Sequence, residues 1–397
     1  MKKSTGRFFA TALIVAALLM ASGCSRIEKK SDITSVPETA SETTRMAPQR
    51  TTAETPSSAN GTTSPGEQVT TPDESHARAI SGTTILADAK AVACDEAGNI
   101  YSVRTSVPDA NVDSRPETTD ALIKIDAGTG RETRLCGDTV FFGISSVTFS
   151  FDGKYMAVND ISNDDSILYV VDTKTGETLN MGEEGFGTVT YSYSWSPDKD
   201  RLFAMTGGDG YSQLMYCDFT SKGERKVKAY NEEKGSVSTS LSAVKAGVAY
   251  EADGKVMLSD GQNKKELCKG AQFICSGDRA YLAIRAISSM EEDVLSENIS
   301  IFDIAAGKAM PVANNITIYS YAFDSAGTLF YTTDPGESDY KYALYMIVKG
   351  SDKAILAGYL KYGDIIAGSK AGAIFMIDNA VGEQSTFEIS VTNSSGQ

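Results

Sequence analysis

The chain has 397 residues, with 52 acidic against 37 basic side chains, six cysteines and one histidine, and its formal net charge is −15. An excess of negative charge this large excludes nucleic acid as the main partner and argues against a face lying flat on anionic lipid. The lone histidine, His76, falls in a polar stretch, so the folded part can hold no triad, proton shuttle or metal set that needs imidazole.

Taken from the start, Lys2, Lys3 and Arg7 precede an apolar run from Phe8 to Met20, then Ala21, Ser22, Gly23 and Cys24. The run is too short to cross a bilayer and ends in small residues, which predicts a cleavable signal peptide over 1–23. The segment resembles the bacterial lipobox, with Ala21 where that box carries Leu. The resemblance implies cleavage before Cys24, diacylglycerol on its thiol, and a mature protein anchored at the extracytoplasmic face of the cell membrane. Residues 24–81 follow as a Ser/Thr/Pro-rich tether: from Ser31 to Ser75, 18 of 45 residues are Ser or Thr and 5 are Pro. Such a stretch cannot bury enough apolar surface to offset the entropy of ordering, and as a flexible coil it reaches roughly 40 Å. With +3 in the signal segment and −2 in the tether, −16 falls on residues 81 to 397.

Residues 82–397 repeat. A strand-forming run, usually closed by Asp and followed by a polar turn, ends at Asp126, Asp172, Asp218, Asp260, Asp303, Val348 and Val391, with spacings of 46, 46, 42, 43, 45 and 43. A second series interleaves with it, two strands about a tight turn, as in Cys94 to Val103, Phe149 to Val158 and Cys275 to Ile284. Two hairpins per period make a four-stranded unit. Seven such units predict an all-β fold, a seven-bladed β-propeller of four-stranded antiparallel blades. The innermost strands are expected near Val92, Val147, Tyr193, Ser242, Ile274, Ala322 and Ile366. The seventh unit lacks its outermost strand. The run Thr83 to Ala87 is expected to supply it, since two unpaired sheet edges would lose hydrogen bonds and invite aggregation. Five cysteines lie in this region without paired spacing. They read as mostly buried thiols, with one disulfide left open.

The turn Trp195-Ser196-Pro197-Asp198-Lys199 resembles the WSPDG signature of TolB-type propeller repeats, and Phe151-Asp152-Gly153-Lys154 is a looser copy. The resemblance extends over residues 82–397 and implies architecture; propellers of this type serve as binding platforms or as gates of peptidases.

No nucleophile elbow, phosphate-cradling loop or zinc helix is present. The acids, by contrast, recur in the loop between the second and third strands of each unit: Asp109 and Asp113, with Glu117 and Asp120, in the first; Asp160, Asp164 and Asp165 in the second; Asp209 in the third. The fifth adds Glu291, Glu292, Asp293 and Glu297, and the sixth Asp334, Glu337 and Asp339, whereas Arg115 and Arg285 are essentially the only cations there. Two readings stand open. These loops are ordinary solvated surface of an acidic domain, or they form a recognition face that steers basic partners or holds Ca²⁺, with Asp160, Asn163, Asp164 and Asp165 as oxygen ligands within one turn. Tyr211, Tyr340 and Tyr342 lie near that face. The expected function is a monomeric, non-catalytic platform for an envelope or extracellular protein, peptide or glycan, with no cofactor beyond that calcium. The alternative is a histidine-independent, metal-assisted propeller enzyme of lactonase or lyase type, which would bring three or more carboxylates or amides to the central channel.

Overall fold

The computed structural model describes residues 80–86, 89–106, 118–162, 165–208, 211–219, 225–234, 240–291, 294–334, 342–368, 370–378 and 385–391. The signal segment, Cys24 and tether residues up to 79 lie outside these, while Ile80 and Ser81, expected to end the tether, belong instead to the first strand.

Seven four-stranded antiparallel sheets follow one another along the chain. The first holds β2 (Lys90–Cys94), β3 (Ile100–Ser106), β4 (Thr119–Ile125) and β5 (Glu132–Arg134), and the second β6 (Ile144–Phe149), β7 (Tyr155–Ser162), β8 (Asp165–Asp172) and β9 (Thr178–Asn180). The third holds β10 (Thr190–Trp195), β11 (Arg201–Gly208), β12 (Tyr211–Asp218) and β13 (Val227–Lys234). The fourth holds β14 (Leu241–Val244), β15 (Gly247–Ala252), β16 (Lys255–Ser259) and β17 (Lys264–Lys269). In the fifth are β18 (Gln272–Cys275), β19 (Tyr281–Glu291), β20 (Val294–Asp303) and β21 (Lys308–Ile316), and in the sixth β22 (Ile318–Phe323), β23 (Leu329–Thr333), β24 (Tyr342–Ile347) and β25 (Ile355–Leu360). The seventh has β26 (Asp364–Ala367), β27 (Ala373–Asp378) and β28 (Ser385–Val391). Its fourth strand is β1 (Ile80–Leu86), paired antiparallel to β28 from Ile80 opposite Val391 to Leu86 opposite Thr386. The ring therefore closes as the sequence predicts, with the N-terminal strand completing the last blade. Thr386 fastens the joint: its Oγ1 accepts from the Ala91 amide at 2.8 Å and donates to the Ala89 carbonyl at 3.0 Å, both in the first blade.

Each innermost strand contacts the next around the ring, β26 returning to β2. Buried apolar side chains fall into seven clusters, one at each blade-to-blade interface. This packing explains why the second strand of a blade reads as an apolar run rather than an alternation. It has a neighbouring blade on both faces, and Met156, Ala157 and Val158 of β7 are all fully buried. The outermost strands end the sheets at solvent, where β5 and β17 carry exposed Lys, Arg and Glu that discourage edge pairing.

The repeated turn residues have equally local reasons. Asp172 ends a third strand, Asp126 and Asp260 stand one residue past theirs, and each accepts two backbone amides of the following turn on Oδ1. The Ser-x-Asp element of the other turn is a cap, with Ser150 Oγ donating to Asp152, Ser196 to Asp198 and Ser276 to Asp278. Trp195 of the signature turn is buried between blades two and three, its Nε1 donating to the Thr148 carbonyl and its ring packed on Tyr155 and Phe219. All five cysteines of the ring are free thiols; burial pushes Cys94 up to about 12 and the other four up to about 11.

Candidate recognition face

Antiparallel order fixes which connections share a face. Loops between second and third strands emerge together with the links from one blade to the next, while the two remaining turns of every blade emerge on the opposite side. Of the acids predicted to populate the first face, Asp109, Asp113, Asp164, Asp209, Glu292, Asp293 and Asp339 lie outside the described residues, as do Glu117, Asn163, Glu337 and Tyr340. Glu291 closes β19.

The acids that are described divide into two kinds. Asp120, Asp160 and Glu297 are buried, at 8%, 3% and 4% exposure. Asp120 accepts from Thr105 Oγ1 at 2.7 Å and from the Ile144 amide at 2.8 Å, tying the first blade to the first residue of β6. Asp160 accepts the amides of Phe142 and Gly143 on Oδ1, at 2.9 and 2.7 Å, and burial raises its carboxyl above the usual range. Glu297 takes a two-pronged ion pair from Arg285 at 3.1 and 2.6 Å while accepting the Ile318 amide that opens β22. A backbone amide left bare inside a protein costs about 1–3 kcal/mol, so Asp120 and Glu297 hold the entry of the next blade against their own, and Asp160 holds the entry of its own blade. The acid expected to open the calcium loop, Asp160, is thus engaged by backbone. No group of three or more His, Cys, Asp or Glu is placed to hold a metal ion among the described residues. Arg285, one of the face's few cations, is likewise committed to Glu297.

Asp165 and Asp334 are the second kind: both are exposed. Asp334 stands beside Tyr319, whose hydroxyl is pushed up by partial burial and then by that carboxylate. Tyr319 meets Tyr342 edge to face, with ring centroids 4.9 Å apart.

A set of residues that the carboxylate pattern does not reveal lies on the same face. Among the described residues eight large apolar side chains are exposed, and six sit here: Val140 and Phe142 in the link to the second blade, Ile161 at the loop end of β7, Ile287 in the outer part of β19, Tyr319 at the start of β22, and Tyr359 near the end of β25. Phe151 and Val348 are on the opposite side. Val140, Phe142 and Ile161 are continuous, since the Ile161 amide bonds the Gly143 carbonyl. The one trace in sequence is Val140-Phe141-Phe142, three apolar residues inside a link where Phe141 alone fills the core.

The channel wall differs in chemistry. Asp364 is the single acid in the seven innermost strands. Their polar side chains stitch blades together: Tyr193 Oη donates to the Ser146 carbonyl at 3.0 Å, Ser194 Oγ accepts the Ala243 amide, and Ser320 Oγ bonds both backbone groups of Ile365.

No protein-family model matches the sequence, and no curated protein matches it. Solved structures do. The β-propeller domain of Cps50 (Swd1) from Myceliophteria thermophila aligns with a TM-score of 0.52 at 14% identity, covering 78% of this chain and 98% of that one. An oligogalacturonate lyase in complex with manganese aligns with 0.51 at 12% identity, over 79% and 98%. The β-propeller domain of the Trilobed protease from Pyrococcus furiosus, itself of open velcro topology, aligns with 0.52 at 12% identity, over 77% and 94%. At such identities the likeness concerns fold alone, and the fold of residues 80–391 is a seven-bladed β-propeller closed by its own N-terminal strand.

Proposed function

We propose that the chain is a non-catalytic binding platform of the cell envelope, anchored by lipid on Cys24, whose loop face takes an extracytoplasmic protein, peptide or glycan. The observation that carries this reading is the gathering of exposed apolar side chains on one face, beside the exposed carboxylates Asp165 and Asp334. Exposed apolar surface costs solubility, and its concentration on one side is a mark of association. An innermost wall with one acid supports binding over metal-assisted chemistry at the channel. Photo-crosslinking residues placed at Phe142 and Tyr319 in intact cells should capture one common partner, while the same groups at Phe151 and Val348 should not. Equal capture from both faces overturns the assignment of the face. The anchor is tested separately: Cys24→Ala should abolish detergent-phase partitioning, and unchanged partitioning would refute it.

A further inference from the structure

A second site of opposite charge lies away from that face. Between the outer edges of the first two blades, on the side of the short turns, is a cleft of about 630 Å³, within the size range of small-ligand sites. Four cations line it, Lys124, Arg131, Arg134 and Lys174, against one acid, Asp126. In a domain carrying −16 this local excess of +3 runs against the whole molecule. Elsewhere the described ion pairs are closed, as in Arg104 with Glu132, Lys255 with Glu266 and Lys349 with Asp278. Arg131, Arg134 and Lys174 have no such partner among the described residues. Lys124 lies 3.9 Å from Asp95 and over the Tyr101 ring, so it is held half-buried in the wall. Asp126, the one acid, is turned toward its own loop, accepting the amides of Gly128 and Thr129 and the Thr129 hydroxyl on Oδ1.

The rest of the lining suits an oxyanion. Thr129, Thr133, Thr173 and Thr175 surround the cations, and Cys136 and Gly176 bring the two blades close, a Cβ at Gly176 falling 3.7 Å from the Cys136 nitrogen. Guanidinium groups pair with phosphate oxygens in two-pronged fashion, and a phosphate monoester supplies a charge of roughly −1.5 to −2 with three acceptor oxygens. With Lys124 beside Asp95, the cations Arg131, Arg134 and Lys174 against Asp126 leave an excess of +2, more than one carboxylate balances, and one phosphate fills a small part of the volume. We infer that this cleft binds a small phosphorylated ligand, of the size and charge of a sugar bisphosphate, independently of the loop face.

The test is calorimetric titration of the full propeller with fructose 1,6-bisphosphate, inorganic phosphate and fructose at low and high salt. Saturable binding of the bisphosphate is expected, weakened at least tenfold by raising salt from 50 to 200 mM, with weaker binding of phosphate and none of fructose. Arg131→Gln with Arg134→Gln should cost at least tenfold in affinity. Both side chains are exposed, and an unchanged melting temperature will show that the fold is intact. The control Lys265→Gln with Lys269→Gln removes two exposed cations of the fourth blade and should leave affinity unchanged. Absence of bisphosphate binding, equal binding of fructose, or an equal loss in the control pair would overturn the proposal.

Discussion

The two faces of the ring are both rich in carboxylates, yet the carboxylates do different things. On the side of the short turns, Asp126, Asp172 and Asp260 recur at the blade period, cap their own turns, and have their acidity strengthened by those hydrogen bonds. On the loop side Asp120 and Glu297 hold one shared position, six residues before Asp126 and Asp303, in the first and fifth blades only, each buried and clamping the start of the next blade, while Asp160 of β7 is buried and holds the entry of its own. A residue that recurs once per blade does a job that every blade needs. A residue that occurs once does something the molecule needs once, and the exposed apolar side chains of the loop face belong to that second class.

The strongest way to break the comparison is to open the ring, because both faces depend on closure. A chain beginning at Ala91 loses the six residue pairings of β1 with β28 and the contact of Thr386 with Ala89. At about 1 kcal/mol per hydrogen bond, plus an edge exposed to aggregation, the loss should be several kcal/mol. It should melt well below a chain beginning near Ala79 and elute as larger species. Equal melting and a monomeric profile would show that the seven blades hold without their strap.

Next in size is Glu297→Ala. It strands Arg285, whose side chain is 12% exposed, without its ionic partner and leaves the Ile318 amide without the carboxylate. Breaking a buried pair from one side costs about 3–5 kcal/mol, and chemical denaturation should find a loss in that range. A loss under about 1 kcal/mol would mean that water replaces the carboxylate and that Glu297 is surface after all.

Acid titration separates the faces by sign. Asp278, in a short turn, is opposed by burial but held down to about 2 by bonds from Lys349, Ser276 and the Ala280 amide. A depressed carboxyl contributes stability above its unfolded value of 3.8, lost as pH falls toward 2. Asp278→Asn should therefore flatten the acid loss of stability between about pH 4 and 2. Asp160 is raised, so its contribution is fullest below 3.8 and is lost as pH rises through its folded value. Asp160→Asn keeps an acceptor for the Phe142 and Gly143 amides without the buried charge. It should match or exceed the parent at pH 7, with the gap closing on acidification. Urea midpoints across about pH 2 to 7 would read both effects, and a destabilised Asp160→Asn at neutral pH would show that the charge itself is needed.

How much of this is legible in sequence follows from what sets each feature. Blade number, innermost strands and ring closure are written in turn chemistry and in a period near 45 residues, all of them local. Whether an acid is a clamp or a contact is decided by register. Asp160 faces the Phe142 and Gly143 amides because it pairs with Ile144 beside an irregularity between Ile144 and Ser146, which no local pattern announces. Phe141 and Phe142 are adjacent and alike, yet they are 1% and 41% exposed. Composition cannot tell which of the two turns outward.

The smallest effect on stability, and the one that bears most directly on recognition, is expected from the exposed acids. Asp165→Asn with Asp334→Asn removes two charges from solvated positions, and such surface changes shift unfolding by less than about 0.5 kcal/mol. Steering acts on encounter, not on the fold. Once the crosslinked partner is in hand, its association rate with the parent should fall as ionic strength rises past about 0.15 M, where charges farther apart than roughly 8 Å are screened. The double variant should start at the slower rate and respond less to salt, with dissociation little changed, because removing peripheral charges acts on encounter more than on the short-range contacts that set dissociation. A variant with the parent's rate and salt response would reduce these acids to solvated surface and leave recognition to the apolar side chains alone.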